Sequence, residues 1–408
     1  MERTTCVVAG GGPAGMVLGL LLARAGIDVT VLEKHGDFLR DFRGDTVHPS
    51  TLRLLDDLGL GEQFARLPNS HVDRVEFPAP DGGSVIISDF RMLPGRHKYV
   101  AMVPQWDLLD LLAAAGKAEP SFHLVMNTEV TGTLVENGRV VGVTYSGPDG
   151  PGELRADLTV AADGRWSVLR QAANLVPREY PVPIDTWWFR LPRDVNWEGP
   201  GLNGRFSDRQ FAIAINRTEY FQIALLIPKG SDASLRAAGL ERFRAGITAL
   251  FPELADVVDT VQDMDDVKFL DVRLDKLPRW YVDGLLCIGD AAHAMSPVGG
   301  VGINLAIQDA VATARLLAGP LRQHRVRVAD LAKVQRRRRV PTVMVQALQR
   351  LLHGAVLMPT LEGRRSTMPM APIVLLRRLP ALRVVPAYLI GIGLRPERAP
   401  AFARRVSG

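Results

Sequence analysis

Two glycine-rich turns, far apart in the chain, carry the residues best suited to chemistry. The first is "VVAGGGPAGMVLGL" (7–20), in which Gly10, Gly12 and Gly15 follow a β-branched run and open an apolar helical one. In that setting the first glycine permits a tight turn and the second lets backbone approach a pyrophosphate. The third lets helix and strand pack closely. Free N–H groups and the positive end of the helix dipole favour an anion at the same place. A following run, "IDVTVLE", closes on Glu33, whose carboxylate can accept hydrogen bonds from both ribose hydroxyls of an adenosine. A plain tight turn in a packed core would account for the glycines and leave Glu33 unexplained. Ala14, within the turn, and Lys34, after the carboxylate, complete this candidate dinucleotide site.

NAD and FAD share that fingerprint, and the second turn separates them. "IGDAAHAMSPVGGVGIN" (288–304) sets Asp290 in a loop after an apolar strand. Pro297, Gly299, Gly300 and Gly302 follow, and then a helix beginning near Ile303 and Asn304. NAD has no part that needs such a loop. A flavin has a ribityl chain and an isoalloxazine ring beyond its pyrophosphate. Asp290 can accept from a ribityl hydroxyl, and the helix-start N–H groups can stabilise negative charge at the N1–C2=O edge of a reduced ring. The glycines let backbone lie close to the ring face. The two turns read as holders of the two ends of one FAD.

Such turns need a sheet to carry them. "TTCVVAG", the helix "PAGMVLGLLLARAG" and "IDVTVLE" form a βαβ unit of a parallel sheet. "HPSTLRLLDDLGL" predicts a helix started by Pro49 and Ser50 and stopped by Gly59, and "DRVEFPAPDGGSVIISDF" predicts two strands around a turn. "VPQWDLLDLLAAAGKA" is an amphipathic helix, and the stretch from Glu129 to Gly164 reads as a small antiparallel meander ending in an apolar strand at 158–162. From 176 to 270 aromatics become denser and alternate with period two. "VDGLLCIGDAAHAMSP" then returns to a parallel strand, with a helix over 303–318 and a basic, helical remainder. The expected fold is α/β: a Rossmann-type FAD-binding domain (parallel sheet plus small antiparallel meander) with an inserted antiparallel β-sheet substrate domain and C-terminal helices. The FAD-binding domain takes residues 1–72, 98–175 and 271–320, and the substrate domain 73–97 and 176–270. Residues 321–408 form a helical cover.

Composition bounds the rest. The 408 residues are 47% hydrophobic and 23% charged, with formal charge +5 and no low-complexity tract. That mild excess, without a basic stripe, argues against nucleic acid. Cys6 and Cys287 lie in apolar strand-like runs and read as buried hydrophobes in a reducing compartment. The eight histidines show no metal-ligand spacing, so no metal site is expected. With neither a leader-like start nor an apolar run able to span a bilayer, the expectation is a cytoplasmic protein.

Three motifs in order, Gly10–Gly15 with Glu33, "ADGRWSVLR" (162–170) and "IGDAAHAMSPVGGVGIN" (288–304), resemble those of single-component FAD-dependent aromatic hydroxylases. That group includes para-hydroxybenzoate hydroxylase, ubiquinone-biosynthesis hydroxylases and tetracycline-inactivating monooxygenases. The resemblance covers residues 1–320. It implies that Asp163 and Gly164 lie near the pyrophosphate and the nicotinamide route, with Arg43 and Gln105 against the flavin or its phosphates. It implies FAD as cofactor, NADH or NADPH as co-substrate, and O2. On that resemblance the nicotinamide would reduce FAD, O2 would add at flavin C4a, and the distal oxygen of the hydroperoxide would pass to an electron-rich carbon of a phenol, quinol or polyketide-like ring. Pro297, Gly299 and Gly300 would wall the place where this happens. The alternative on the same scaffold is a flavin dehydrogenase or reductase of a lipid or quinone without oxygen insertion. A third reading is a flavin-binding sensor with no activity.

Other residues carry weaker signals. His293, after Asp290, suits an orienting role in the flavin loop more than acid–base work, and His48 suits a place at a helix start facing the cofactor. Trp187, Trp188, Phe189, Phe206, Phe211, Tyr220 and Phe221 can line an aromatic or lipophilic substrate pocket, although alternation turns about half of them to the far side of a sheet. Arg336–Arg339 reads as a solvated helix face. Together with the apolar-basic stretch 373–395 it offers a peripheral membrane contact. Monomer and homodimer both remain open.

Overall fold

The computed structural model describes residues 2–39, 46–79, 83–193, 202–207, 209–217, 220–364 and 370–405. Its central sheet is built around the strand Glu2–Ala9, which pairs in parallel with Val29–Leu32 on one side and with Gly150–Ala161 on the other. Phe122–Val125 continues the sheet beyond Val29–Leu32, and Leu285–Cys287 continues it beyond Gly150–Ala161. Where the inner strands meet, at Cys6–Ala9, Val29–Leu32 and Leu158–Ala161, they are buried and largely apolar because both faces are covered, as parallel sheets require. The helix Pro13–Arg24 covers one face so tightly that a Cβ on Gly19 would lie 2.7 Å from the Phe122 ring.

The strand Gly150–Ala161 does two jobs. Its first half pairs antiparallel with Arg139–Gly147, as the outer part of a meander with Glu129–Glu136. Its second half is a central parallel strand. The apolar strand expected at 158–162 is the second half of this longer strand, which runs from the meander into the parallel sheet and ends at Ala161.

A second sheet has seven strands in the order Lys268–Leu270, Ile184–Pro192, Tyr220–Pro228, Gln210–Asn216, Leu202–Ser207, Arg74–Pro78 and Ser84–Asp89. The hairpin before residue 90 thus joins the sheet of the later segment, through the parallel pair Asn203–Glu76. One face packs on the helix Leu240–Leu250, and the other on Val272, Val298 and Leu357. A third sheet has three strands in the order Thr46–Val47, Val100–Met102 and Ser70–Val72, the middle one antiparallel to both neighbours.

The helix Gly302–Arg322 packs along Pro13–Arg24 and along Val328–Leu352, running past the expected end at 318. The reading of Arg336–Arg339 as a solvated face is corrected. Arg338 is buried and its Nε bonds Asp309 Oδ1 at 3.0 Å, while Arg337 pairs with Glu397. Only Arg336 and Arg339 are exposed. Four consecutive helical residues span a full turn, so one of them must face inward. Cys6 and Cys287 are both free and buried, and burial pushes their thiols well above the usual range, away from reactivity. Among the described residues no helix is long and apolar enough to cross a membrane, and no cluster of His, Cys, Asp or Glu could hold a metal.

Candidate active site

The first turn is shaped by what its glycines exclude. Gly10 has φ +101°, and a Cβ there would lie 2.5 Å from the Ala162 carbonyl oxygen. A Cβ on Gly15 would sit 1.9 Å from the Gly10 oxygen. Gly12 differs, since nothing lies within 4 Å of its Cβ position and no side chain caps the helix there. Uncapped helix-start amides facing open space fit a bound pyrophosphate. Glu33 Oε2 accepts from Gly11 N at 2.8 Å and Oε1 from His35 N at 3.1 Å, so the carboxylate also staples the turn. Ala14 is buried against the second turn, and exposed Lys34 borders an open cleft of ≈ 510 Å³ with Asn127 and Glu129.

Asp163 lies across from Gly10, its Cα 3.1 Å from the Gly10 Cβ position. Its Oδ2 accepts from Leu169 N at 3.3 Å, but its Oδ1 is buried with no partner. Burial pushes this carboxyl above the usual range. An orphaned acceptor beside an open helix start fits a polar group of a bound nucleotide. Gln105 is the first residue of the helix Gln105–Lys117, half-buried after Pro104. Arg43 falls outside the described residues.

The second turn folds onto the first. Gly289 has φ +59°, and a Cβ on it would stand 3.5 Å from Ala14 Cβ and 3.1 Å from Ala306 Cβ. Asp290 follows, 33% exposed, with Arg165 of the "ADGRW" loop 3.7 Å away. Pro297 O accepts from Gly300 N at 2.9 Å, closing a turn through Gly299 (φ +84°) and Gly300 (φ +63°). Gly300 O in turn accepts from Thr46 Oγ1 at 2.8 Å and from His48 Nε2 at 2.9 Å. Burial pushes His48 below the usual histidine range, leaving a neutral ring that donates to this carbonyl. Gly302 begins the long helix, Ile303 is half-buried, and Asn304 Oδ1 accepts from Ser50 Oγ (2.9 Å) and Thr51 Oγ1 (2.8 Å).

Several residues of this region escape sequence reasoning. Arg170 is buried and links the "ADGRW" loop to the second turn, with Nη2 donating to Arg165 O at 2.7 Å and Nη1 to Ala291 O at 3.4 Å. His293 Nε2 lies 2.6 Å from Asp309 Oδ2, which also accepts from Gly289 N. The only sequence signal for Asp309 is a lone acid in an otherwise apolar helical stretch.

The aromatic residues divide as alternation requires. Trp187, Phe189 and Phe221 pack under the helix Leu240–Leu250. Trp188 lies with Met102 and Phe90, and Phe206 and Phe211 with Phe77 and Val298, on the opposite face. The Phe206 and Phe211 rings are 4.5 Å apart between centroids. Tyr220 instead lies under Arg190, at 4.7 Å. Val298 brings the second turn directly onto this aromatic face.

The model of the FAD binding domain family matches residues 3–347. The chain belongs to this family. It is 35% identical over 390 residues, 94% of this chain and 91% of the relative, to a 6-methylpretetramide 4-monooxygenase of Streptomyces rimosus. It is 31% identical to a 12-dehydrotetracycline 5-monooxygenase/anhydrotetracycline 6-monooxygenase of the same species, across 76% of this chain and 61% of that one. Among solved structures, the anhydrotetracycline hydroxylase OxyS from Streptomyces rimosus superposes with TM-score 0.76 at 24% identity, covering 98% of this chain and 77% of that one. This flavoprotein is an FAD-dependent monooxygenase, with NAD(P)H and O2 as co-substrates.

Proposed function

We propose that this monooxygenase hydroxylates an electron-rich ring of a polyketide-like aromatic molecule. The observation that carries the proposal is the 35% identity, over nearly the whole chain, to a monooxygenase named for a pretetramide. The aromatic sheet face that meets Val298 supports it. The balance is R–H + O2 + NAD(P)H + H⁺ → R–OH + H2O + NAD(P)⁺.

The residues take the following parts in this reading. Gly10, Gly12, Ala14 and Gly15 receive the pyrophosphate, Glu33 and Lys34 the adenosine end, and Asp163 a polar group between them. Asp290 takes a ribityl hydroxyl, and Gly302, Ile303 and Asn304 present the helix start to the ring. Gln105 and Arg43 complete the cofactor set. Pro297, Gly299 and Gly300 form the wall against which substrate is held. The cofactor supplies hydride acceptance and oxygen activation, and the chain supplies orientation and exclusion of water. In this reading 1–72, 98–175 and 271–320 bind cofactor, 73–97 and 176–270 bind substrate, and 321–408 closes the site. The test is turnover of pretetramide- and tetracycline-type rings under labelled O2. A product heavier by one labelled oxygen supports the proposal, while a reduced product with no label supports the dehydrogenase or reductase alternative.

A peripheral contact is part of the proposal. Residues 331–396 hold twelve of the 49 basic residues but, in Glu362, one of the 44 acidic ones. On Val328–Leu352 the exposed Val340, Met344, Leu348 and Leu351 recur at helical spacing beside Arg336 and Arg339. That combination suits an anionic lipid surface.

A further inference from the structure

The segment carrying Pro297 is gripped from outside the nucleotide-binding sheet, by the end of the helix Val328–Leu352. Gln349 Nε2 donates to Ser296 O at 2.8 Å and to Val298 O at 2.9 Å, and its Oε1 accepts from Ser296 N at 3.3 Å. These bonds straddle Pro297, whose own nitrogen has no hydrogen to give. Ser296 Oγ lies 2.9 Å from His353 Nε2 and accepts from Val298 N at 3.3 Å. One turn earlier on the helix, Gln346 Nε2 donates to Asp275 O at 2.6 Å and to Ala294 O at 3.2 Å. Ser296, Gln346, Gln349 and His353 are all nearly inaccessible to solvent.

The helix is irregular at this point. His353–Leu357 widens to the i→i+5 pattern, an irregularity that recurs at functional sites. Leu357, at its end, packs with Val298 and Phe211, so the same stretch touches the turn and the aromatic face. Amide and imidazole groups this deep cost free energy unless bonded, and an apolar helix face would bury with less penalty. What the bonded groups provide is one fixed backbone path through residues 296–300.

We propose that Gln349 and His353 are positioning residues for the monooxygenase reaction, holding the backbone of Ser296–Gly300 in the single arrangement that serves both cofactor ring and substrate. The proposal rests on the reading that this backbone walls the flavin ring. Gln349 acts through Ser296 and Val298, and His353 through Ser296. Loosening them lets reduced cofactor react with O2 unproductively, by NAD(P)H + O2 + H⁺ → NAD(P)⁺ + H2O2, while substrate is left unchanged.

The experiment compares wild type with Gln349→Met, which keeps side-chain volume and removes the bonds, with His353→Phe, and with His353→Gln, which keeps a donor. Amide hydrogen exchange at Val298 and Gly300 is read in the protein without added cofactor. The ratio of H2O2 to hydroxylated product is read in the holoenzyme. In Gln349→Met and His353→Phe, exchange should rise by roughly tenfold or more and H2O2 should become the main product. His353→Gln should recover most of the coupling. If Gln349→Met leaves exchange unchanged, or raises it with coupling intact, the proposal is overturned. Should His353→Phe fail to fold, Ser296→Ala removes the hydroxyl that His353 meets and is read for the same two outcomes; should Gln349→Met fail, Gln349→Glu, which loses the donor to Ser296 O and Val298 O, is read in its place. A Gly12→Val protein that retains FAD would defeat the cofactor reading instead, without altering what the exchange experiment says of the grip.

Discussion

His293 Nε2 lies 2.6 Å from Asp309 Oδ2, and the other oxygen of that carboxylate takes Arg338 Nε at 3.0 Å. Asp309 thereby ties the second turn, through His293 and Gly289 N, to the helix Val328–Leu352. Burial pushes its carboxyl up, but His293 and Arg338 outweigh burial and hold it below the usual range. Because the folded value is depressed, the stabilisation is complete above the unfolded carboxylate value of ~4 and is lost as pH falls below it.

Replacing Asp309 with Asn should cost ~3 kcal/mol, since buried Arg338 then keeps only Glu397, at 3.8 Å, as counter-charge. Denaturant unfolding measures this. Asp309→Asn combined with Arg338→Met should be less destabilised than the sum of the two single changes. A strictly additive pair would contradict the coupling.

His48 gives a second pH dependence. Its ring is buried and held neutral, with the folded value below that of the unfolded chain. The stabilisation is present above ~6.5 and is lost as pH falls below that value. Burial lowers His353 in the same direction. The slope of Tm against pH between 5 and 6.5 should therefore flatten in His48→Gln. An unchanged slope would show that other groups carry it.

Gly10 and Gly12 should fail in different ways. Gly10→Ala places a methyl 2.5 Å from the Ala162 oxygen in a left-handed conformation, so it should destabilise the protein itself. Gly12→Val places its Cβ in open space and should leave Tm within a few degrees while abolishing FAD retention. Thermal unfolding together with flavin released on denaturation separates the two.

Vesicle co-sedimentation tests the basic C-terminal surface. Binding to anionic vesicles should exceed binding to neutral ones, fall with salt, and drop in Leu351→Ser with Met344→Ser. Equal recovery with both lipids would rule out the lipid contact.

The parallel core and both turns are legible in the sequence because they depend on neighbours in the chain. Gly10, Gly12, Gly15 and Glu33 belong to one strand–helix–strand unit, and continuous apolar runs mark a sheet buried on both faces. What stays hidden depends on partners brought together only by folding. Alternation separates Trp187 from Trp188 but cannot say which faces the cofactor side. Helical geometry requires that one of Arg336–Arg339 point inward, and Asp309, with Glu397 and the Arg395 carbonyl beside it, selects Arg338. Gln349 looks like any surface glutamine until the Pro297 turn is placed against it. The strand Gly150–Ala161 changes partners midway, which no local pattern announces.

The claim that the two turns hold the two ends of one FAD is tested most directly by titrating FAD and ADP into the apoproteins of Asp290→Ala and Glu33→Ala. Loss of a charge-assisted hydrogen bond from Asp290 should weaken FAD by about ten- to a hundredfold and leave ADP unchanged. Glu33→Ala, which also frees Gly11 N, should weaken both ligands. If Asp290→Ala weakens ADP as much as FAD, or weakens neither, the second turn does not hold the flavin end.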